Sequence, residues 1–199
     1  MKTKQKTFRK IASDIDGVLV DFQTPFVDFY NQRHDANFTV QDMFCYEFWK
    51  VFQVSEEELA RDMKDFYRSS AFRKMSPISG AKEAITILRR RNLLYSVTSR
   101  PDFIRDETIT LLGEHFPGAF LRVHFTNQYG GNGSKERKSD FCLENGYEVI
   151  IEDVAEYANE CAERGIKAFI LTCPWNREER LHPEVTRVKD WKEILHHLE

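Results

Sequence analysis

Asp14-Ile15-Asp16-Gly17-Val18 closes the apolar run that starts at Arg9, and its two carboxylates stand two residues apart. A carboxylate can attack phosphorus and hold the phosphoryl group as an aspartyl-phosphate, which divides one hard hydrolysis into two easier steps. Asp14 is the candidate nucleophile. Asp16 is spaced to protonate the departing oxygen and then to take a proton from the attacking water. Gly17 lets the chain turn sharply past a phosphate. Alone, the same string also fits an Asp/Gly turn after a strand.

Three later segments, in order and each beside an expected strand end, supply the remaining groups. Thr98 and Ser99 offer hydroxyl and backbone N–H donors to a phosphoryl oxygen. Arg100 either holds a substrate phosphate or starts a turn with Pro101. A lysine near the start of the helix expected over Lys135–Glu144 would neutralise charge on phosphate and nucleophile; Lys138 and Lys135 compete for that place. Glu152-Asp153 puts adjacent acids directly after an apolar strand, which is costly unless a cation or hydrogen bonds compensate. A hard, oxygen-liganded Mg2+ between Asp14, Asp153 and water fits that requirement. Gly130-Gly131-Asn132-Gly133 lacks the spacing of a phosphate loop and reads as a connector.

The elements that must position these groups are legible in the pattern. About half of the chain's aromatic residues fall between Phe22 and Phe72, a stretch that reads as several helices packed through their rings. Ser55 and Glu58 form a capping box for one of them. From Pro77 onward helix and strand alternate: a helix over Ala81–Arg90 capped by Ser79, a strand Leu93–Thr98, a helix from Pro101 to His115, and a strand Arg122–Thr126. A strand Glu148–Ile151, a helix Val154–Glu163, a final strand Lys167–Thr172 and a terminal helix led by Asp190 and Glu193 complete the series. Such alternation implies an α/β, doubly wound, mostly parallel sheet, with ligands at the carboxyl ends of its strands. The expected division is a core over residues 1–21 and 77–199 and a helical cap over residues 22–76.

Composition narrows the classes. The 199 residues are 41% hydrophobic and 31% charged, ordinary values for a globular chain, and no apolar run approaches the roughly 20 residues of a membrane span. A net charge of −3 gives no general attraction to nucleic-acid polymers or anionic membranes. Cys45, Cys142, Cys161 and Cys173 are scattered without a C-x-x-C pair, which suits a reducing, cytoplasmic setting better than a zinc site or disulfide framework. Association into a homodimer is left open.

The ordered set of Asp14–Val18, Thr98, a lysine and Glu152-Asp153 resembles the haloacid dehalogenase-like (HAD) superfamily of phosphohydrolases. Pro77-Ile78-Ser79-Gly80-Ala81 looks like the segment by which that family re-enters its core after a cap. Within the superfamily the chain is most similar to the 5'(3')-deoxyribonucleotidase-related group, through the cap after the first motif, Thr98-Ser99, the paired acids and Cys173-Pro174-Trp175-Asn176. The resemblance implies a Mg2+-dependent phosphomonoesterase acting on a small phosphate ester such as a nucleoside or deoxynucleoside monophosphate. It also implies Asp14 as nucleophile, Asp16 as acid/base, and Asp14, Asp153 and the Asp16 carbonyl as metal ligands. Thr98, Ser99, Arg100 and Lys138 become phosphate-binding groups, with Glu152 as a supporting acid; Glu-Asp stands where Asp-Asp is more usual. A sugar phosphate is the alternative substrate and a non-catalytic binding domain the alternative class. Asp16 speaks against a dehalogenase, because a departing halide needs no proton.

Overall fold

Near-continuous apolar runs such as Val149–Ile151 and Ala168–Leu171 become strands buried on both faces, as a parallel sheet requires. The computed structural model describes residues 8–128 and 136–198. Its six strands are β1 (Arg9–Ser13), β2 (Asn92–Thr98), β3 (Val123–Phe125), β4 (Val149–Glu152), β5 (Lys167–Leu171) and β6 (Val185–Val188). They lie in the order β3-β2-β1-β4-β5-β6, and every described pairing is parallel. The order reverses between β1 and β4, so the crevice where ligands bind such sheets opens beyond the ends of those two strands.

Among the described residues the α-helices are α1 (Gln23–His34), α2 (Phe48–Phe52), α3 (Glu56–Arg68), α4 (Ser70–Arg73), α5 (Ala81–Leu88), α6 (Arg105–His115), α7 (Lys138–Glu144), α8 (Ala155–Glu163) and α9 (Trp191–Leu198). Alternation along the strands sorts two apolar layers. Ile11, Leu94, Val149, Ile151, Phe169 and Leu171 face a layer with residues of α5, α6 and α9. Ala12, Val97, Ile150, Ala168 and Ile170 face the other, built on α7 and α8.

Helices α1–α4 occupy the stretch between β1 and α5 and pack through their rings. Phe66 touches Phe22, Phe26, Phe29 and Phe72 with ring centroids 5.2–5.7 Å apart. The reason α3 forms is local: Ser55 Oγ accepts from Glu58 N at 3.2 Å and Glu58 Oε2 accepts from Ser55 N at 2.9 Å. The chain leaves and re-enters the sheet unit on two adjacent segments, with Asp21 N donating to Ser76 O (2.8 Å) and Ile78 N to Leu19 O (2.9 Å). The apolar cluster of α1–α4 is continuous with the α5, α6 and α9 layer.

Two sequence expectations are corrected. β6 was not foreseen, because Val-Thr-Arg-Val is short and half polar; as the sheet's outer strand it is buried only at Val185 and Val188. Gly80, in the left-handed region at φ 80°, rather than Ser79 caps α5, and no side chain closes that end. Among the described residues no helix is long and apolar enough to cross a membrane.

Candidate active site

β1 and β4 end side by side, and the residues that follow them converge. Asp14 N donates to Ile151 O at 2.9 Å, which registers the Asp14 loop on β4. Asp14, Glu152 and Asp153 each bring one carboxylate oxygen within 4.8 Å of the others, a spacing that can hold one metal ion. All three are buried. Both carboxylate oxygens of Asp153 lack a hydrogen-bond partner, an arrangement that costs several kcal/mol for an isolated charge, on the order of what a bound cation offsets. The donor set is oxygen only, which suits a hard cation.

Asp153 is held by its backbone. Trp175 Nε1 and Asn176 Nδ2 both donate to its carbonyl, at 3.0 and 2.7 Å, and Asn176 is fixed in turn by Arg187 Nη1 at 2.7 Å. Gly17 explains itself here. Its φ is +72°, and a Cβ on it would lie 2.2 Å from Asp153 Oδ2. Only glycine lets the loop pass.

Lys138, the first residue of α7, is fully buried, with Nζ 2.9 Å from Asp14 Oδ1 and 2.8 Å from Glu152 Oε1. Burial alone would lower its pKa, but Asp14 and Glu152 outweigh that and raise it well above the ordinary lysine range. Lys135 lies outside the described residues. Glu152 has its second oxygen 3.3 Å from Asp153 N, so it braces the lysine and the Asp153 turn together. Burial pushes its carboxyl up to about 7 against the pull of Lys138. Burial likewise raises Asp14 and Asp153, and neighbouring acids add to both.

A cavity of about 1050 Å³ opens from this cluster toward α1–α4. Asp14, Asp16, Thr98, Ser99 and Arg100 line its floor; Phe48, Trp49, Tyr67, Lys64, Arg68 and Arg73 line the wall opposite. Ser99 Oγ is buried without a partner at this floor. Thr98 Oγ1 accepts from Arg100 N at 3.2 Å. The Arg100 side chain points at Asp16. Its guanidinium is 2.9 and 2.7 Å from the two carboxylate oxygens of Asp16 and 3.0 Å from Thr108 Oγ1, so the edge expected to meet a phosphate is taken.

Sequence reasoning singled out neither the particular residues of the opposing wall nor the bracket on Asp153. The wall residues are ordinary aromatic and basic residues of helices, with no local signal. Trp175 and Asn176 were visible in Cys173–Asn176, where polar groups directly follow an apolar strand end.

Comparison with known proteins places this geometry. Residues 9–198 match the family described as 5' nucleotidase, deoxy (pyrimidine), cytosolic type C protein. "Putative nucleotidase YqfW" of Bacillus subtilis (strain 168) is 22% identical over 187 residues, 94% of this chain and 91% of that protein. Among solved structures, the haloacid dehalogenase-like family hydrolase SP0104 of Streptococcus pneumoniae superposes with a TM-score of 0.68 at 14% identity, covering 96% of this chain and 99% of the other. The "putative HAD-hydrolase YfnB" of Bacillus subtilis, solved bound to magnesium, gives a TM-score of 0.64 at 14% identity over 98% of this chain and 100% of the other. The chain belongs to the 5' nucleotidase, deoxy (pyrimidine), cytosolic type C family and is a phosphoric monoester hydrolase on a HAD-like fold.

Proposed function

We propose that the chain hydrolyses a nucleoside or deoxynucleoside monophosphate with Mg2+, through an aspartyl-phosphate on Asp14. The observation that carries this reading is the meeting of Asp153 and Lys138 at Asp14, which with Asp16 lines the cavity. Asp14, Asp153 and the Asp16 carbonyl would hold the ion, which when bound supplies charge neutralisation for the phosphoryl oxygens. The unpartnered oxygens of Asp153 support that assignment.

Asp14 attacks phosphorus as the ester P–O bond breaks. The bonding pair goes to the leaving oxygen, which takes a proton from Asp16. Water then attacks the aspartyl-phosphate and gives its proton to Asp16, the electron pair returns to Asp14, and inorganic phosphate leaves. Lys138 neutralises Asp14 so that its oxygen can approach an anion. Ser99 and Thr98 donate to the phosphoryl oxygens from the end of β2. Glu152 keeps Lys138 in place. The stretch 22–76 acts as the cap, and its aromatic wall offers faces for a nucleobase.

Phosphate release from a panel of nucleotides and sugar phosphates tests the proposal, with Asp14→Asn as control. Activity that survives Asp14→Asn ends it. Release confined to sugar phosphates removes only the nucleotide. A requirement for Mg2+ is read by chelation and restoration.

A further inference from the structure

We infer that Arg100 is a positioning residue for Asp16, and that its fork, covered by α4, sets the carboxyl that serves the leaving oxygen. The inference rests on the reading of Asp16 as acid/base. Asp16 has two side-chain torsions and a carboxyl that faces an open cavity; its side chain is 23% exposed. Left alone, it would sample several rotamers. The Arg100 side chain is 1% exposed and lies beneath it.

Three separate anchors hold the guanidinium. Nε and Nη2 donate to Asp16 Oδ2 and Oδ1, a two-point contact that fixes the carboxylate plane as well as its position. Nη1 donates to Thr108 Oγ1, whose hydroxyl donates to Ile104 O at 2.7 Å. The ring of Phe72 sits 4.9 Å from the guanidinium carbon, so its π face caps the cation from the cap side. The Arg100 backbone is tied as well, through its N–H to Thr98 Oγ1.

Breaking this pair would leave the buried Arg100 charge uncompensated, which disfavours any state in which Arg100 leaves Asp16. A lysine keeps the charge but presents one point instead of a planar fork. Phe72 belongs to α4, the last helix before re-entry to the sheet, so seating of the cap and orientation of the acid are one packing event.

The test separates positioning of an acid from binding of a phosphate. When kcat/KM is measured, a nucleoside monophosphate needs a proton on its departing alkoxide, whereas 4-nitrophenyl phosphate leaves as a stable phenolate and does not. Arg100→Lys is expected to lose at least about tenfold more on the nucleotide than on the aryl ester, in the direction of Asp16→Asn, since general acid catalysis contributes about 10²–10⁴-fold. Thr108→Val, which removes one anchor and leaves the fork, should show the same bias at smaller size. Its structure is the safer of the two, so it decides the matter if Arg100→Lys fails to fold. Equal losses on both esters in these variants, or none, overturn the inference and return Arg100 to phosphate binding or to simple packing. Wild-type protein inert on both esters would instead remove the proposed reaction itself.

Discussion

Ionised, Asp153 carries a charge that no described donor pairs. Its pKa is raised by burial and by Asp14 and Glu152, so the sign of its linkage is fixed. Its share of stability is present below the ordinary carboxylate range and is lost as pH rises through the elevated folded value. Asp153→Asn should therefore raise the melting temperature of metal-free protein at neutral pH and have little effect in acid, while abolishing activity. Mg2+ should reverse the deficit in wild type only. At a hundred times Kd it contributes about 2.7 kcal/mol, or about 5–10 °C for a chain of this size. The increment should shrink under mildly acidic conditions, where protons compete for Asp14 and Asp153. An equal shift in Asp153→Asn would remove Asp153 from the ion's ligands. Gly17→Ala tests the same atom from the other side: its methyl group must displace the Asp153 carboxylate, so Mg2+ affinity should fall at least about tenfold, the scale of lost support for a ligand. Unchanged calorimetric affinity would contradict it.

At the scale of elements, the α1–α4 stretch divides into rings that hold it together and side chains that face the cavity. Phe66 is fully buried among four other rings, and Phe66→Ala should cost about 3–5 kcal/mol, read by urea unfolding. Lys64 and Arg68 stand one turn apart on α3, exposed on the cavity wall, with no described acid paired to either. Their removal in Lys64→Ala/Arg68→Ala should raise KM for a phosphate ester several-fold, with kcat near wild type, because they meet the bound ester without touching the reacting atoms. A fall in kcat at constant KM would put them in the chemistry instead. The sequence carried the strand ends that supply Asp14, Thr98 and Glu152-Asp153, because apolar runs closed by polar groups are local patterns. It did not carry β6, whose four residues are defined only by pairing with β5, nor the Arg100 fork, which joins residues 84 positions apart. The three-dimensional order of strands was needed before the contact of Arg100 with Asp16 could be seen.

For the whole molecule, the question is whether the inserted helices melt on their own. Two connections alone join them to the sheet unit, side by side at Leu19–Asp21 and Ser76–Ile78, an arrangement that would suit an independent module. Packing argues otherwise. Phe22, Phe26, Phe66, Phe72 and Met75 belong to the same buried cluster as Ile85, Leu94, Leu112 and Trp191, so unfolding α1–α4 exposes apolar surface of the layer over the sheet. Phe72 also packs on the buried Arg100 guanidinium that pairs with Asp16, which a sheet unit without α4 would leave open to water. Calorimetry should therefore show one transition, with its calorimetric and van't Hoff enthalpies equal. Phe66→Ala should move that single transition as a unit, although the mutated ring lies far in sequence from the sheet. A low-temperature step that appears in Phe66→Ala while the main peak stays in place would mean that the helices fold separately and that the shared cluster contributes little to cooperativity.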